Sequence, residues 1–139
     1  MSDLLVNIDV DDLAKAEAFY KRAFGLRVGR RFRESGVELL GLAAPLYLLA
    51  KPAGSMASTT TGQKRDYRRH WTPVHIDIVV ENINAAVTRA VAAGAECEAP
   101  VKSANWGKLA LMADPFGHGF CLIEFIGRGY DEIAGPAAK

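Results

Sequence analysis

The residues of this chain that could do chemistry are few and scattered. In the stretch PVHIDIVV, residues 73–80, His75 and Asp77 sit between Ile76 and Ile78 in strict alternation. An imidazole so placed could ligate a metal, act as a general base, or serve only as a hydrogen-bonded polar residue on a strand. Glu124, in GFCLIEF, shares the parity of Phe120 and Leu122. Carboxylates in apolar surroundings hold their proton more tightly unless partnered, which is the property a general base needs. His75 and Glu124 are therefore the candidate catalytic pair. Arg30 falls on the parity of Leu26, Val28 and Phe32, so an inward-facing guanidinium could clamp a carboxylate or phosphate with two parallel bonds. Trp106, Trp71, Phe116 and Tyr47 could form an aromatic wall for a flat or apolar ligand. His70 closes a basic run with Lys64, Arg65, Arg68 and Arg69 that reads as a solvated loop, and His118 lies in a turn where exposure is expected.

Other chemistries lack their signatures. There is no GxSxG elbow, P-loop, GxGxxG after a strand, or HExxH. The 17 basic and 16 acidic residues leave a net charge of +1, so no global field draws the chain to nucleic acid or anionic membrane, and an organic small molecule is the expected partner. Cys97 and Cys121 are far apart and in no zinc spacing, which predicts free thiols. The acidic start MSDLLVNIDVDD lacks the basic region of a secretory leader, and the apolar stretch Leu39 to Ala50 is interrupted by Gly41 and Pro45, so a cytoplasmic protein is expected.

Periodicity gives the strands and helices that carry these residues. Leu4, Val6, Ile8 and Val10 alternate as in a half-buried strand. Leu13, Ala16, Phe19, Tyr20, Ala23 and Phe24 then take helical spacing, with Asp11 or Asp12 as N-cap and Gly25 as the stop. Strand-like LRVGRRF, GVELLGL and PLYLLAK complete a βαβββ order. The second half repeats it: Val74, Ile76, Ile78 and Val80 alternate, Asn82 can cap a helix ending at Gly94, and AECEAPV, KLALMA and GFCLIEF follow, the last two separated by the turn DPFGHG. At an offset of 70 residues, Ile8 falls on Ile78, Asp12 on Asn82, and Leu5 on His75. We expect module 1 over residues 1–51, a linker or mobile loop over 52–70, module 2 over 71–127 and a peripheral tail over 128–139.

The segments DLAKAEAFYKRAFGLRV (12–28), HIDIVVENINAAV (75–87) and ADPFGHGFCLIEF (113–125), set in the paired βαβββ pattern, resemble the vicinal oxygen chelate superfamily, which includes glyoxalase I, extradiol dioxygenases, and fosfomycin and bleomycin resistance proteins. The resemblance implies an α+β fold in which the sheets of two βαβββ modules curl into a ligand-holding cup, with the helices outside, often completed by a second chain as a homodimer. It also implies a first-strand and a last-strand metal ligand in each module. Carried over by position, these are His75 and Glu124 in module 2, but Leu5 and either Leu48 or Ala50 in module 1, none of which binds metal. Asn7 and Asp77 are substitute donors on the same strand faces, yet positions two apart on a strand differ by roughly 6 to 7 Å, whereas each donor must lie about 2 Å from the ion. The expectation is thus a small-molecule-binding protein nearer the bleomycin-resistance branch, whose cup is lined by His75, Glu124, Asp77, Asn7, Leu5, Trp106, Arg30 and Tyr47. His75 and Glu124 would be hydrogen-bonded to each other, with no tightly bound cofactor. The alternatives are a metal-dependent lyase, isomerase or dioxygenase using His75 and Glu124 on a divalent ion, and a non-catalytic sensor or partner-binding module.

Overall fold

A computed structural model describes residues 1–136; residues 137–139, the end of the expected tail, lie outside the described residues. The first half forms β1 (Val6–Val10), α1 (Leu13–Phe24), β2 (Arg27–Arg31), β3 (Gly36–Leu40) and β4 (Leu46–Ala50). The second forms β5 (Ile76–Val79), α2 (Ile83–Ala93), β6 (Glu96–Cys97), β7 (Lys102–Ala104), β8 (Gly107–Ala113) and β9 (Gly119–Phe125), followed by a 3-10 turn at Gly129–Glu132. Both helices start and stop where their side chains dictate. The Asp12 carboxylate accepts from Lys15 N and the Asn82 amide oxygen from Ala85 N, each at 3.0 Å, and Gly25 ends α1 in the left-handed region at φ 65°.

The sheets are related by the same repeat. One runs β1-β4-β3-β2 and the other β5-β9-β8-β6, with β1–β4 and β5–β9 parallel. The second module departs from a bare βαβββ order: its first returning strand is split into the two-residue β6 and a separate β7, both antiparallel to β8. Pro100 lies at the break, where its missing N–H cannot continue a ladder.

Each sheet buries one face under the helices. Val10, Val37, Leu39, Leu46 and Leu48 from the first sheet and Ala110, Met112, Phe120 and Leu122 from the second join Phe19, Tyr20, Ala23, Ile83 and Ala90 in one core, where α1 packs directly on α2. Phe116, expected as a candidate pocket aromatic, belongs to this core at 2% exposure. The opposite faces carry Asn7, Asp9, Glu38 and Tyr47 in module 1 and Asp77, Cys121 and Ile123 in module 2. Among the described residues, no helix is long and apolar enough to cross a membrane.

Residues 51–75 connect the modules without regular structure but with many ties. The Tyr67 hydroxyl donates to Lys51 O at 2.7 Å, Arg65 Nε to Asp9 Oδ2 at 2.7 Å, and His70 N to Gly117 O at 2.9 Å. Arg69 pairs with Glu98. The segment therefore bonds to both modules.

Candidate functional site

The free face of the second sheet forms a concavity of about 470 Å³ lined by Trp71, His75, Asp77, Trp106, Leu109, Leu111, Cys121, Ile123 and Tyr130. Register explains the membership. Asp77 lies opposite Cys121 across β5–β9, and Leu111 and Leu109 oppose Cys121 and Ile123 across β8–β9, so alternate residues of three strands share one surface. Trp71 arrives from the connecting segment and meets the His75 ring edge-on at 5.6 Å. Tyr130, from the stretch expected to be a peripheral tail, lies 5.1 Å from Trp106 and 4.7 Å from Phe125, ring centre to ring centre. No alternation pattern marks Tyr130 in the sequence, because its position depends on the chain folding back beyond β9.

At the floor, His75 Nε2 lies 3.1 Å from Asp77 Oδ1, and the Cys121 thiol sits beside the same carboxylate. Burial, with the charge and hydrogen bond of Asp77, pushes this thiol up to about 11. The donor atoms of His75, Asp77 and Cys121 all lie within 4.8 Å of one another. Although His75 and Asp77 are two positions apart along the chain, their side chains lean together, closer than strand spacing alone suggests.

Glu124 is elsewhere. Its parity with Phe120 and Leu122 is as the sequence shows, but that is the helix-facing side, and it does not meet His75. Oε1 accepts from Ile83 N at 2.8 Å, satisfying an otherwise unpaired donor of the first turn of α2, and Oε2 lies 3.8 Å from Lys108 Nζ. A carboxylate at a helix N-terminus is also favoured by the helix dipole. On the cup face the last strand presents Cys121 and Ile123.

The same register corrects module 1. Opposite Asn7 stands Tyr47, whereas Leu48 is fully buried and Ala50 pairs with Val10 on the core side. Leu5 precedes β1 and is 56% exposed, and Asn7 lies on a cleft of about 530 Å³ between β1 and β5 that also reaches His75. Tyr47 and Arg30 come together on a buried carboxylate rather than on an open anion site. Arg30 Nε and Nη2 bond Glu38 Oε1 and Oε2 at 3.2 and 2.8 Å, and the Tyr47 hydroxyl donates to Glu38 at 2.5 Å. A bulge between Val28 and Arg31 turns Arg30 out of simple alternation, which is why its fork reaches a neighbour of its own sheet.

Side-chain bonds from Arg30 and Tyr47 and the Arg30 backbone N–H hold Glu38 near pH 2, below its ordinary 4.5. Because the folded value is depressed, the stabilising contribution is complete above pH 4.5 and disappears as pH falls toward 2. Comparing Glu38→Gln with wild type by urea unfolding should show a stability difference that is largest near neutral pH and shrinks through this window. A difference independent of pH would contradict the assignment.

The histidine of the β8–β9 turn is also placed differently from expectation. His118 is not an exposed turn residue: it is half-buried, with Nε2 2.7 Å from Asp9 O and its ring edge-on to Tyr67 and His70.

Comparisons with known proteins agree with this architecture. The chain is similar, at 20% identity and TM-score 0.71 over 90% of its length and 100% of the other, to a glyoxalase/bleomycin resistance protein/dioxygenase family enzyme from Burkholderia phytofirmans. It is similar, at 16% identity and TM-score 0.71 over 96% and 99% of the chains, to a mutant of the fosfomycin resistance protein FosX from Listeria monocytogenes complexed with Mn(II) and 1S,2S-dihydroxypropylphosphonic acid. A lactoylglutathione lyase from Agrobacterium tumefaciens matches at 18% identity and TM-score 0.61 over 89% and 94%. At these identities the likeness concerns the fold. No curated protein sequence matches the chain significantly. The profile of the glyoxalase-like domain family matches residues 5–123, and with the paired modules described above the chain belongs to that family, within the vicinal oxygen chelate superfamily.

Proposed function

We propose that the protein binds a flat, largely apolar organic molecule in the cup of its second module and does so without a tightly held metal. The observation that carries this reading is the lining itself: two indoles, a phenol and three aliphatic side chains surround a small polar floor where His75, Asp77 and Cys121 cluster. Concave apolar surface with a few converging polar atoms is the usual make-up of a small-molecule site. The His75–Asp77–Cys121 arrangement offers a ligand one directional polar contact, and the walls offer stacking.

Trp71 and Trp106 are the two tryptophans of the chain, and both line the cup, so intrinsic tryptophan emission reports on its occupancy. Titration with planar aromatic compounds in the presence of a chelator should give saturable quenching. A thermal-shift measurement on the same compounds should show stabilisation by about 2.7 kcal/mol at 100 times the dissociation constant. Absence of quenching by every such compound would refute the proposal.

A second reading is favoured by the three clustered donors. Imidazole, carboxylate and thiolate form a set that zinc or a similar ion accepts, with an open position for a ligand, and a bound ion would supply Lewis acidity at the cup floor. The matching positions in module 1 contribute nothing, since Leu5 has no donor and the Tyr47 hydroxyl is bonded to Glu38. Quenching that appears only after metal is added, and is lost in His75→Ala, would establish this second reading in place of the first.

A further inference from the structure

A pair of histidines outside the cup poses a separate question. His118 Nε2 lies 2.7 Å from the carbonyl oxygen of Asp9, and His70 Nδ1 lies 2.7 Å from the carbonyl oxygen of Arg68. A carbonyl oxygen only accepts, so each of these ring nitrogens must carry the proton. In the neutral rings the other two nitrogens, His118 Nδ1 and His70 Nε2, are then bare. They face each other at 3.3 Å. Two lone pairs directed at one another repel unless something electrophilic lies between them.

We propose that His70 and His118 form a binding site for a transition-metal ion of the zinc or copper type, distinct from the donors of the cup. Three observations support it. Two metal–nitrogen bonds of about 2.0 to 2.1 Å at a tetrahedral angle separate the nitrogens by about 3.3 Å, whereas hydrogen-bonded heavy atoms ordinarily lie about 2.7 to 3.2 Å apart. Metal-ligating histidines almost always donate their second N–H to a carbonyl or carboxylate, which fixes tautomer and ring direction, and both rings already do so. Both rings also line the cleft of about 530 Å³ between β1 and β5, which leaves room for water or a ligand to complete the coordination.

The electrostatic surroundings do not oppose a cation. The three arginines nearest the pair are each matched with a carboxylate: Arg65 with Asp9 at 2.7 Å, Arg68 with Asp66 at 2.6 Å, and Arg69 with Glu98. The ion would join three parts of the molecule, because His70 belongs to the connecting segment, His118 to the β8–β9 turn, and the carbonyl that orients His118 to β1. Its occupancy would thereby fasten the segment that carries Trp71 to both modules.

The test is Zn(II) alone added to the whole protein, followed by the ring nitrogen signals of the three histidines in ¹⁵N NMR and by binding stoichiometry. The expected result is that His118 Nδ1 and His70 Nε2 shift on binding while their partners stay protonated, and that this persists in His75→Ala. His70→Ala and His118→Ala should each weaken the binding at least about tenfold, in line with the loss of a ligand or its orienting partner. The wild-type spectrum decides the matter even where a variant fails to fold. Two results overturn the proposal: a proton shared between the rings with no response to Zn(II), or a response confined to His75.

Discussion

Replacing Asp114 by alanine should lower the unfolding free energy by about 3 to 4 kcal/mol, the largest stability loss we expect from a single polar side chain here. Asp114 is 5% exposed and its carboxylate takes three bonds: Oδ2 from the Tyr20 hydroxyl at 2.5 Å, and Oδ1 from Phe116 N at 2.8 Å and His118 N at 2.9 Å. Alanine leaves a buried phenol and two turn N–H groups without acceptors, each costing about 1 to 3 kcal/mol if unrelieved. Burial, then the charge and bond of Asp114, hold the Tyr20 hydroxyl well above its ordinary range, so it stays a donor. The pair spans α1 of module 1 and the β8–β9 turn of module 2, which gives the effect a second signature: loosening of the turn that carries His118. Urea unfolding of Asp114→Ala and Tyr20→Phe checks it. Tyr20→Phe removes one partner and should cost less, about 1 to 2 kcal/mol. A loss below about 1 kcal/mol in Asp114→Ala would show that the carboxylate is not holding this junction.

The largest expected effect on binding is at Trp106. If the cup holds a planar apolar ligand, truncating this indole to alanine should weaken binding about ten- to hundredfold, the range of a central aromatic anchor. Trp106 immediately precedes β8 and is half-buried against Tyr130, so its ring is held before a ligand arrives and loses little freedom on binding. Gly119→Ala is an independent control acting on the other indole, because a Cβ at Gly119 would stand 2.6 to 2.7 Å from the Trp71 ring and must displace it. Fluorescence or calorimetric titration of both variants with the compounds that quench wild type provides the measurement. Unchanged affinity in Trp106→Ala would place the ligand outside this concavity, and the cleft between β1 and β5 would become the site to examine.

The cup differs from its sequence reading in one instructive way. His75 and Asp77 could be placed on the outward side of β5 from alternation alone, since Ile76 and Ile78 must go under the helix. Glu124 could equally be placed with Phe120 and Leu122. The error came in bringing the two together, because parity within a strand says which residues share a face, not which face of one strand continues into which face of the next. The parallel pairing of β5 with β9 decides that Cys121 is the neighbour of Asp77, and the same pairing of β1 with β4 makes Tyr47, not Leu48 or Ala50, the matching residue. Arg30 illustrates a different limit, since a bulge changes parity without leaving a mark in the apolar pattern.

The amino-acid sequence specifies most elements, their order and their duplication, because helix and strand periods, N-cap side chains and terminal glycines are local properties that act over a few residues; the split of β6 from β7 is the exception. The sequence also sufficed to separate core faces from free faces in most strands. Which side chains meet is a property of the folded chain. Whether Asp77 pairs with Cys121, whether Glu38 gathers Arg30 and Tyr47, and whether His70 faces His118 depend on strand register and on where a connection of low periodicity is tied down. Those are set by contacts between residues distant in the chain, whose energies no local pattern contains.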